Sequence, residues 1–389
     1  MDQRRHYTRR DVLRRGGYAA GAVVGLPSLL AACGTAPSGG GDGASPSAAA
    51  TIDFSNIAGT SIKVATYGGF FEENFASKYP AFTEETGVEV ESVPEPTSET
   101  WVTTLQQGVT AGSVPADVSM LSKLGMLRAI NGDILAAYPQ SALTNADKLA
   151  SGFVRTTDAG DVIGVGAVSW YITLVSNTDR VSESPTSWAA FWDAQWENEL
   201  ALLRNPGNSY LLEITAATFF GGYDILETED GILEVMNKLA EVKPNVKLWY
   251  RDEATAQQSY NTGEVSLGQF YHDITEYAAS QGEPLRSVFP TEGAILDGGD
   301  WAILKTTENL ASCVAFIDYM CRPEVQADLA RTLGTSPTAK RELMDLTDEE
   351  FALFAGPGPD AALRPKYEIY VDREDWVNER WSELIVGVE

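Results

Sequence analysis

The chain has 389 residues, with 28 basic against 55 acidic side chains and a formal charge of -27. So acidic a surface repels nucleic acid and anionic lipid headgroups, and solubility or a saline setting accounts for it more simply than a cationic ligand does. Three cysteines and two histidines exclude a His-rich zinc centre, and past the N-terminal region any Ser-His-Asp or Cys-His site would have to use His272.

In chain order, the first feature is basic: Arg4, Arg5, Arg9, Arg10, Arg14 and Arg15. Thr8-Arg9-Arg10-Asp11-Val12-Leu13 resembles a twin-arginine export signal. The apolar stretch Gly16 to Ala32 holds Pro27 and is shorter than the ~20 residues of a membrane-spanning helix. It ends in Leu30-Ala31-Ala32-Cys33, which matches the lipobox of bacterial lipoproteins. Residues 1–33 are therefore expected to be a targeting segment. Cleavage makes Cys33 the mature N-terminus and an acyl attachment point, and two or more acyl chains anchor stably where one binds marginally. An uncleaved anchor is the alternative, and both place the rest outside the cytoplasm, on the periplasmic or cell-surface side of the membrane. The twin-arginine resemblance implies export of a folded protein. Cleavage removes 6 basic and 2 acidic side chains, which leaves 22 against 53 and a net charge of -31.

Residues 34–58 begin with Gly, Ser, Ala and Pro and read as a flexible tether that cannot bury a core. About 330 residues remain, more than one hydrophobic core usually serves, so two lobes are expected.

Ser61 to Tyr67 reads as a buried strand, and Gly68-Gly69 opens a helix from Phe70 to Glu85 that Gly87 stops. Val88 to Val93 is the second strand. Thr97 or Ser98 can cap the next helix, which runs through Gln107. Asp117 to Leu121 is the third strand, followed by a helix from Lys123 to Ile130. This alternation predicts a parallel sheet covered by helices. The pattern then restarts. Val162 to Val168, Tyr171 to Ser176 and Glu199 to Leu203 read as strands, and Tyr210 to Phe220 and Asp230 to Val242 as helices. Val246 to Tyr250, Leu267 to Tyr271 and Leu285 to Phe289 are short strands. From Glu308 the chain is mostly helical, with Pro323 fit to start a helix. Cys313 and Cys321 fall in one such helix, about 12 Å apart, beyond disulfide reach, and are expected to be buried thiols.

Ile62 to Phe70, I-K-V-A-T-Y-G-G-F, resembles the first strand and turn of family-1 extracellular solute-binding proteins. The spermidine/putrescine-binding proteins of ABC importers are more similar still. Thr186-Ser187-Trp188-Ala189-Ala190-Phe191-Trp192, Gly263-Glu264-Val265-Ser266-Leu267-Gly268, Pro290-Thr291-Glu292-Gly293 and Cys321-Arg322-Pro323-Glu324-Val325 resemble segments of that family in its order. The resemblance covers roughly residues 60 to 340. It implies an α/β, type II periplasmic-binding-protein fold: two lobes of mixed, mostly parallel sheet, with the ligand cleft between them. Expected crossings lie near Val168, Tyr271 and Lys305, which puts 59–168 and 272–305 in the first lobe and 169–271 and 306–389 in the second. It also implies delivery of a small-molecule ligand to a membrane permease driven by a separate ATPase. No cofactor and no metal are expected, and the protein is expected to act as a monomer.

Ligands of open α/β sheets sit beyond the carboxyl ends of the strands. Polyamine-type sites hold ammonium groups with carboxylates and aromatic faces, a cation over such a face gaining ~0.5–2 kcal/mol. Residues at the matching turns are Tyr67, Gly68, Ser122, Trp170, Asn208, Tyr210, Trp249, Tyr250, Tyr271, Asp273, Asp300 and Trp301. Asp300 and Trp301 are the preferred contacts, with Asp297 beside them. His272 reads as structural. One departure matters: the polyamine proteins place acids after a Leu-rich strand, whereas Leu202 to Tyr210 holds no acid. Lys123, Arg204 and Arg251 also fall near expected cleft loops. A shorter amine, a zwitterion or an anionic solute thereby becomes an alternative to a polyamine. A secreted glycosidase using two carboxylates remains open on composition alone, though no acid pair stands in a motif. A ligand-sensing surface protein would share the fold and the cleft.

Overall fold

The computed structural model describes residues 51–96 and 100–387. The targeting segment, Cys33, residues 34–50 and the cap candidates Thr97 and Ser98 lie outside the described residues. The chain opens with β1 (Ser61–Tyr67), α1 (Phe70–Ala76), α2 (Tyr79–Thr86), β2 (Glu89–Glu95), α3 (Thr100–Ala111), β3 (Val118–Ser122) and α4 (Lys123–Asn131). Then come β4 (Val154–Thr156), β5 (Val162–Asn177), β6 (Leu200–Leu203), α5 (Pro206–Ser209), α6 (Leu211–Phe219), α7 (Glu229–Ala240) and β7 (Val246–Tyr250). They are followed by α8 (Glu253–Asn261), β8 (Leu267–Tyr271), α9 (His272–Ser280), β9 (Leu285–Val288) and β10 (Ile295–Ile303). The chain closes with α10 (Leu310–Met320), α11 (Pro323–Leu333), α12 (Asp348–Ala355), α13 (Ile369–Asp372) and α14 (Glu374–Trp381).

The strands form one curled sheet in the order β2-β1-β3-β10-β5-β8-β6-β7, with β4 and β9 beside β5. Pairing is parallel within β2-β1-β3 and within β8-β6-β7. Each antiparallel pair of strands contains β5 or β10. The architecture is therefore two parallel α/β lobes stitched by two antiparallel crossing strands, the two-lobed type II arrangement.

Local chemistry explains where elements break. The helix expected over Phe70 to Glu85 is two helices, because Pro80 lacks an N–H and crowds the carbonyl four residues back, where α1 ends at Ala76. Gly87 then ends α2 in the left-handed region, at φ 73°. Conversely, the two strands expected within Val162 to Ser176 are one strand of 16 residues. Nothing in Ser169-Trp170 interrupts it, because β10 pairs alongside through that stretch.

The lobe boundaries need correction. β5 runs through Val168 from the first lobe into the second, and the return strand is β10, not Tyr271. α9 and β9 pack on β5 and β8, which places residues 272–288 in the second lobe. After Lys305 the chain stays in the first lobe, where α10 packs on β1 and β10, and α11 on α1. Ser336 then bonds the crossing strand at Ser169, its N–H to the Ser169 carbonyl at 2.8 Å. Leu363 bridges to Ile295, and the C-terminal helices finish on the second lobe. The cause is hydrophobic: Phe316 of α10 packs 5.5 Å from both Phe82 and Trp301, inside the first lobe. Cys313 and Cys321 are buried free thiols, with burial pushing the Cys313 thiol up to about 12.

The crossing is tight at Gly298, where a Cβ would lie 2.3 Å from the Val168 carbonyl oxygen. Gly298→Val is expected to cost about 1–3 kcal/mol through overpacking. Urea unfolding measures it, and a silent substitution would show that the two strands separate freely.

Candidate ligand-binding cleft

Side chains alternate along a strand, so the pairing registers define one face of the crossing ribbon. Ile172 stands opposite both Tyr271 and Ile295, Trp170 opposite Asp297, and Val168 opposite Gly299. Trp170, Asp297, Gly299 and Tyr271 thus share a face. Ser169 belongs to the other, where its hydroxyl donates to the Ser336 carbonyl at 3.1 Å. Tyr67, at the end of β1, lies across this floor with its ring 6.4 Å from Trp170 at 58°. Gly299 leaves room for it: a Cβ there would come within 3.2 Å of the Tyr67 hydroxyl.

Asp297 is the centre of the floor. Its carboxylate accepts from the Tyr210 hydroxyl and the Tyr367 hydroxyl, each at 2.5 Å. Burial pushes its pKa up, while the two phenols, the Gly298 N–H and the Lys123 ammonium pull it down. Burial, with the Asp297 charge next in size, holds the phenols of Tyr210 and Tyr367 well above the usual tyrosine range, so both stay donors. Tyr210 sits between α5 and α6 at φ 59°, ψ 13°. A bulky residue with positive φ is strained, and its hydroxyl contact fixes it at the second-lobe wall.

Lys123 begins α4, directly after Ser122, whose side chain caps that helix by accepting from the Gly125 N–H at 3.1 Å. The Lys123 ammonium pairs with Asp300 at 2.5 Å and lies 5.9 Å from the Phe153 ring centroid. Asp300 is only 3% exposed.

The structure thus gathers Tyr67, Trp170, Tyr210, Tyr271 and Ser122 around one floor, whereas Asp300, paired with Lys123, falls on the opposite face of β10 by strand alternation. Gly68 stands at the edge of the floor beside Pro94, and Asp273 lies in the first turn of α9, half-buried. Asn208 is exposed on α5, and Trp249 packs half-buried against the main core. Two further expected contacts belong elsewhere. Trp301 is 1% exposed and wedged between Phe75 at 5.3 Å and Phe316 at 5.5 Å. Tyr250 is equally buried, its hydroxyl spent on the Gln269 carbonyl at 3.0 Å. Both indole and phenol serve cores because they themselves occupy inward-facing strand positions. His272 is structural and neutral: its Nε2 faces the Leu353 carbonyl at 2.7 Å, its Nδ1 faces the Ser287 hydroxyl at 2.8 Å, and burial lowers its pKa. A carbonyl only accepts, so Nε2 carries the proton.

Sequence reasoning passed over Asp297 in favour of its neighbours and missed Tyr367 entirely. Asp297 is signalled only by the pair of glycines after it. Tyr367 lies in a helical tail with no motif at all. The fragments that carry the family resemblance are clamps instead. Trp188 donates its indole N–H to the Gly293 carbonyl at 2.8 Å, and Ser187 bonds the Glu292 carboxylate. Arg322 makes a bidentate pair with Glu85 at 2.7 and 2.5 Å.

A further buried acid, Glu95, ends β2 next to Tyr67 in the parallel register. Burial pushes its carboxyl up to about 9, against one contact from the Ser119 hydroxyl at 3.4 Å. A folded-state pKa above the unfolded value means stability is lost as pH rises from 4.5 to about 9. Glu95→Gln is expected to match the parent protein near pH 4.5 and to exceed it increasingly toward pH 9, by on the order of 1 kcal/mol per pH unit. Urea unfolding at both ends of that range measures the difference, and a pH-independent difference would place Glu95 in water. For Asp297, Tyr367→Phe removes a donor to the charged form, so its titration moves to higher pH. Carboxyl-carbon NMR reads the shift directly, and an unmoved titration would contradict the hydrogen bond.

Two α/β lobes, joined by crossing strands with an acidic, aromatic floor at the joint, define a two-lobed binding protein. Residues 79–349 match the bacterial extracellular solute-binding proteins, and the chain belongs to that family. It is a binding protein and not an enzyme. It is 28% identical over 229 residues to a gamma-aminobutyric acid-binding protein of Pseudomonas aeruginosa, a match covering 56% of this chain and 63% of that one. It is 27% identical over 295 residues to a spermidine/putrescine-binding periplasmic protein of Salmonella typhimurium, covering 74% and 80%. An ABC transporter structure from Clostridium perfringens superposes with a TM-score of 0.71 at 20% identity, covering 83% of this chain and 99% of that one.

Proposed function

We propose that this chain is a lipid-anchored, extracytoplasmic receptor that captures a small amine-bearing solute, polyamine-like in chemistry, and hands it to an ABC permease worked by a separate ATPase. The observation that carries the ligand class is Asp297. It is a carboxylate on the crossing strand, beside Trp170 and Tyr67, and two phenol donors help to keep it ionised. An ammonium group there gains a buried counter-ion and aromatic faces together. Tyr67, Gly68, Ser122, Trp170, Tyr210, Tyr271 and Asp273 complete the proposed contacts, with Tyr367 added, and Asn208 and Trp249 at the periphery. The names of the two relatives point the same way, since each is said to bind an amine.

The proposed mechanism is hinge closure about the β5–β10 crossing, with the solute bridging the lobes. The wall residues fit that mechanism: Tyr67, Ser122 and Lys123 come from the first lobe, Tyr210, Tyr271 and Tyr367 from the second. Outside the cleft Arg128 of α4 pairs with Glu374 of α14 at 2.8 Å, across the lobes. A micromolar dissociation constant needs about 8.2 kcal/mol, within reach of one ion pair, a few hydrogen bonds and the aromatic contacts. Cys33 supplies the anchor, and the protein acts as a monomer.

Mass spectrometry of small molecules released from the purified protein tests the ligand class, and recovery of an amine is the expected result. A radius of gyration that falls when that amine is added back tests the hinge. Recovery of anionic solutes alone would overturn the amine assignment.

A further inference from the structure

The C-terminal segment touches both lobes, and its two attachments differ in kind. Toward the second lobe it is sunk into the interior. Tyr370 and Trp381 are buried, the Tyr370 hydroxyl donates to the fully buried Glu213 at 2.8 Å, and the Lys366 N–H donates to the same carboxylate at 3.1 Å. The Trp381 indole N–H donates to the Arg204 carbonyl at 2.8 Å. Toward the first lobe the segment is met at the surface. Arg128 of α4 pairs with Glu374 of α14 at 2.8 Å, their side chains 25% and 45% exposed. Arg364 donates to the Ser151 carbonyl at 2.7 Å, again in an exposed position. An open cavity of about 600 Å³ flanks the Arg128–Glu374 pair, with Gln106, Asn131 and Val371 in its lining, so packing does not seal this contact.

We propose that the C-terminal segment is a strap carried by the second lobe and that the Arg128–Glu374 pair is its releasable latch on the first, so that two residues outside the cleft set the balance between the open and closed forms. The proposal rests on the reading of hinge closure given under the proposed function. Pulling the strap from the second lobe would leave the buried Glu213 carboxyl without its donors, a full desolvation penalty. Parting an exposed ion pair costs far less, because water takes up both charges. Lobe opening therefore separates Arg128 from Glu374 and leaves the strap on the second lobe, with Tyr367 still on Asp297. A solute that needs the closed form binds in proportion to the fraction of molecules closed. Arg128 and Glu374 are thus positioning residues, which act on binding through that fraction and touch no solute.

Double electron–electron resonance tests the latch. Spin labels are placed at Glu73→Cys on α1 and Gln258→Cys on α8, exposed positions on helices that follow β1 of the first lobe and β7 of the second. The background is Cys33→Ser, and Cys313 and Cys321 are buried. Distances are recorded without solute and with 1,4-diaminobutane. Arg128→Gln and Glu374→Gln are each expected to lower the closed-to-open ratio by about two- to fivefold, the worth of an exposed ion pair. The charge swap, Arg128→Glu together with Glu374→Arg, is expected to restore the ratio, which a merely structural role for either residue would not do. Circular-dichroism melting confirms that each variant is folded. Two populations whose ratio neither single variant moves, or whose shift the swap fails to reverse, overturn the latch and leave hinge closure standing. A single distance common to every protein under both conditions overturns hinge closure itself.

Discussion

The antiparallel pairing of β5 with β10 is the contact on which the rest of this molecule depends. Each lobe has its own parallel strands and helices, and could not by itself hold the other in place. The two crossing strands do so over seven paired positions, from Ile295 opposite Ile172 to Trp301 opposite Val165. Their midpoint is built from Gly298 and Gly299, where side chains would collide with the neighbouring strand or with Tyr67. The register shifts between Gly299 and Asp300, and such irregularities change twist and re-aim side chains. The crossing between the lobes and the proposed binding surface thus share the same short piece of chain.

A second set of contacts fixes the far wall. The C-terminal segment, which lies beyond the residues matched by the family, runs between the lobes, touching α4 of the first and the wall of the second, and is held at several points. Leu363 bridges to Ile295, and Tyr367 reaches Asp297. Tyr370 donates to the fully buried Glu213 at 2.8 Å, and the Lys366 N–H donates to the same carboxylate at 3.1 Å. Trp381 donates to the Arg204 carbonyl at 2.8 Å. Buried carboxylates satisfied by phenols recur in this wall. A phenol offers one donor on a rigid apolar body, so it meets the acid without bringing a second charge into the interior. Asp300 differs, because its carboxylate is met by the Lys123 ammonium at 2.5 Å.

The family's sequence fragments turn out to be fastenings. The Thr186-to-Trp192 segment and the Pro290-to-Gly293 segment bind one another through Trp188 and Glu292. Cys321 to Val325 anchors α11 through Arg322. Fastenings identify the architecture because they must meet each other at fixed geometry, whereas cleft residues answer only to the solute. It is reasonable on physical grounds, then, that these fragments say much about fold and little about ligand.

What the amino-acid sequence alone determines is local: strand and helix positions, the stop at Gly87, the restart of the strand–helix pattern, and the strand ends and turns where Tyr67, Tyr210 and Tyr271 stand. Periodicity and turn chemistry act over a few residues and are visible in them. The lobe to which α10 belongs, the burial of Trp301 and Tyr250, the Lys123–Asp300 pair and the arrival of Tyr367 at Asp297 are settled only in three dimensions. Each joins positions far apart in the chain (Lys123 and Asp300 are separated by 177 residues), and burial and charge pairing depend on which surfaces meet, a property no local stretch of sequence carries.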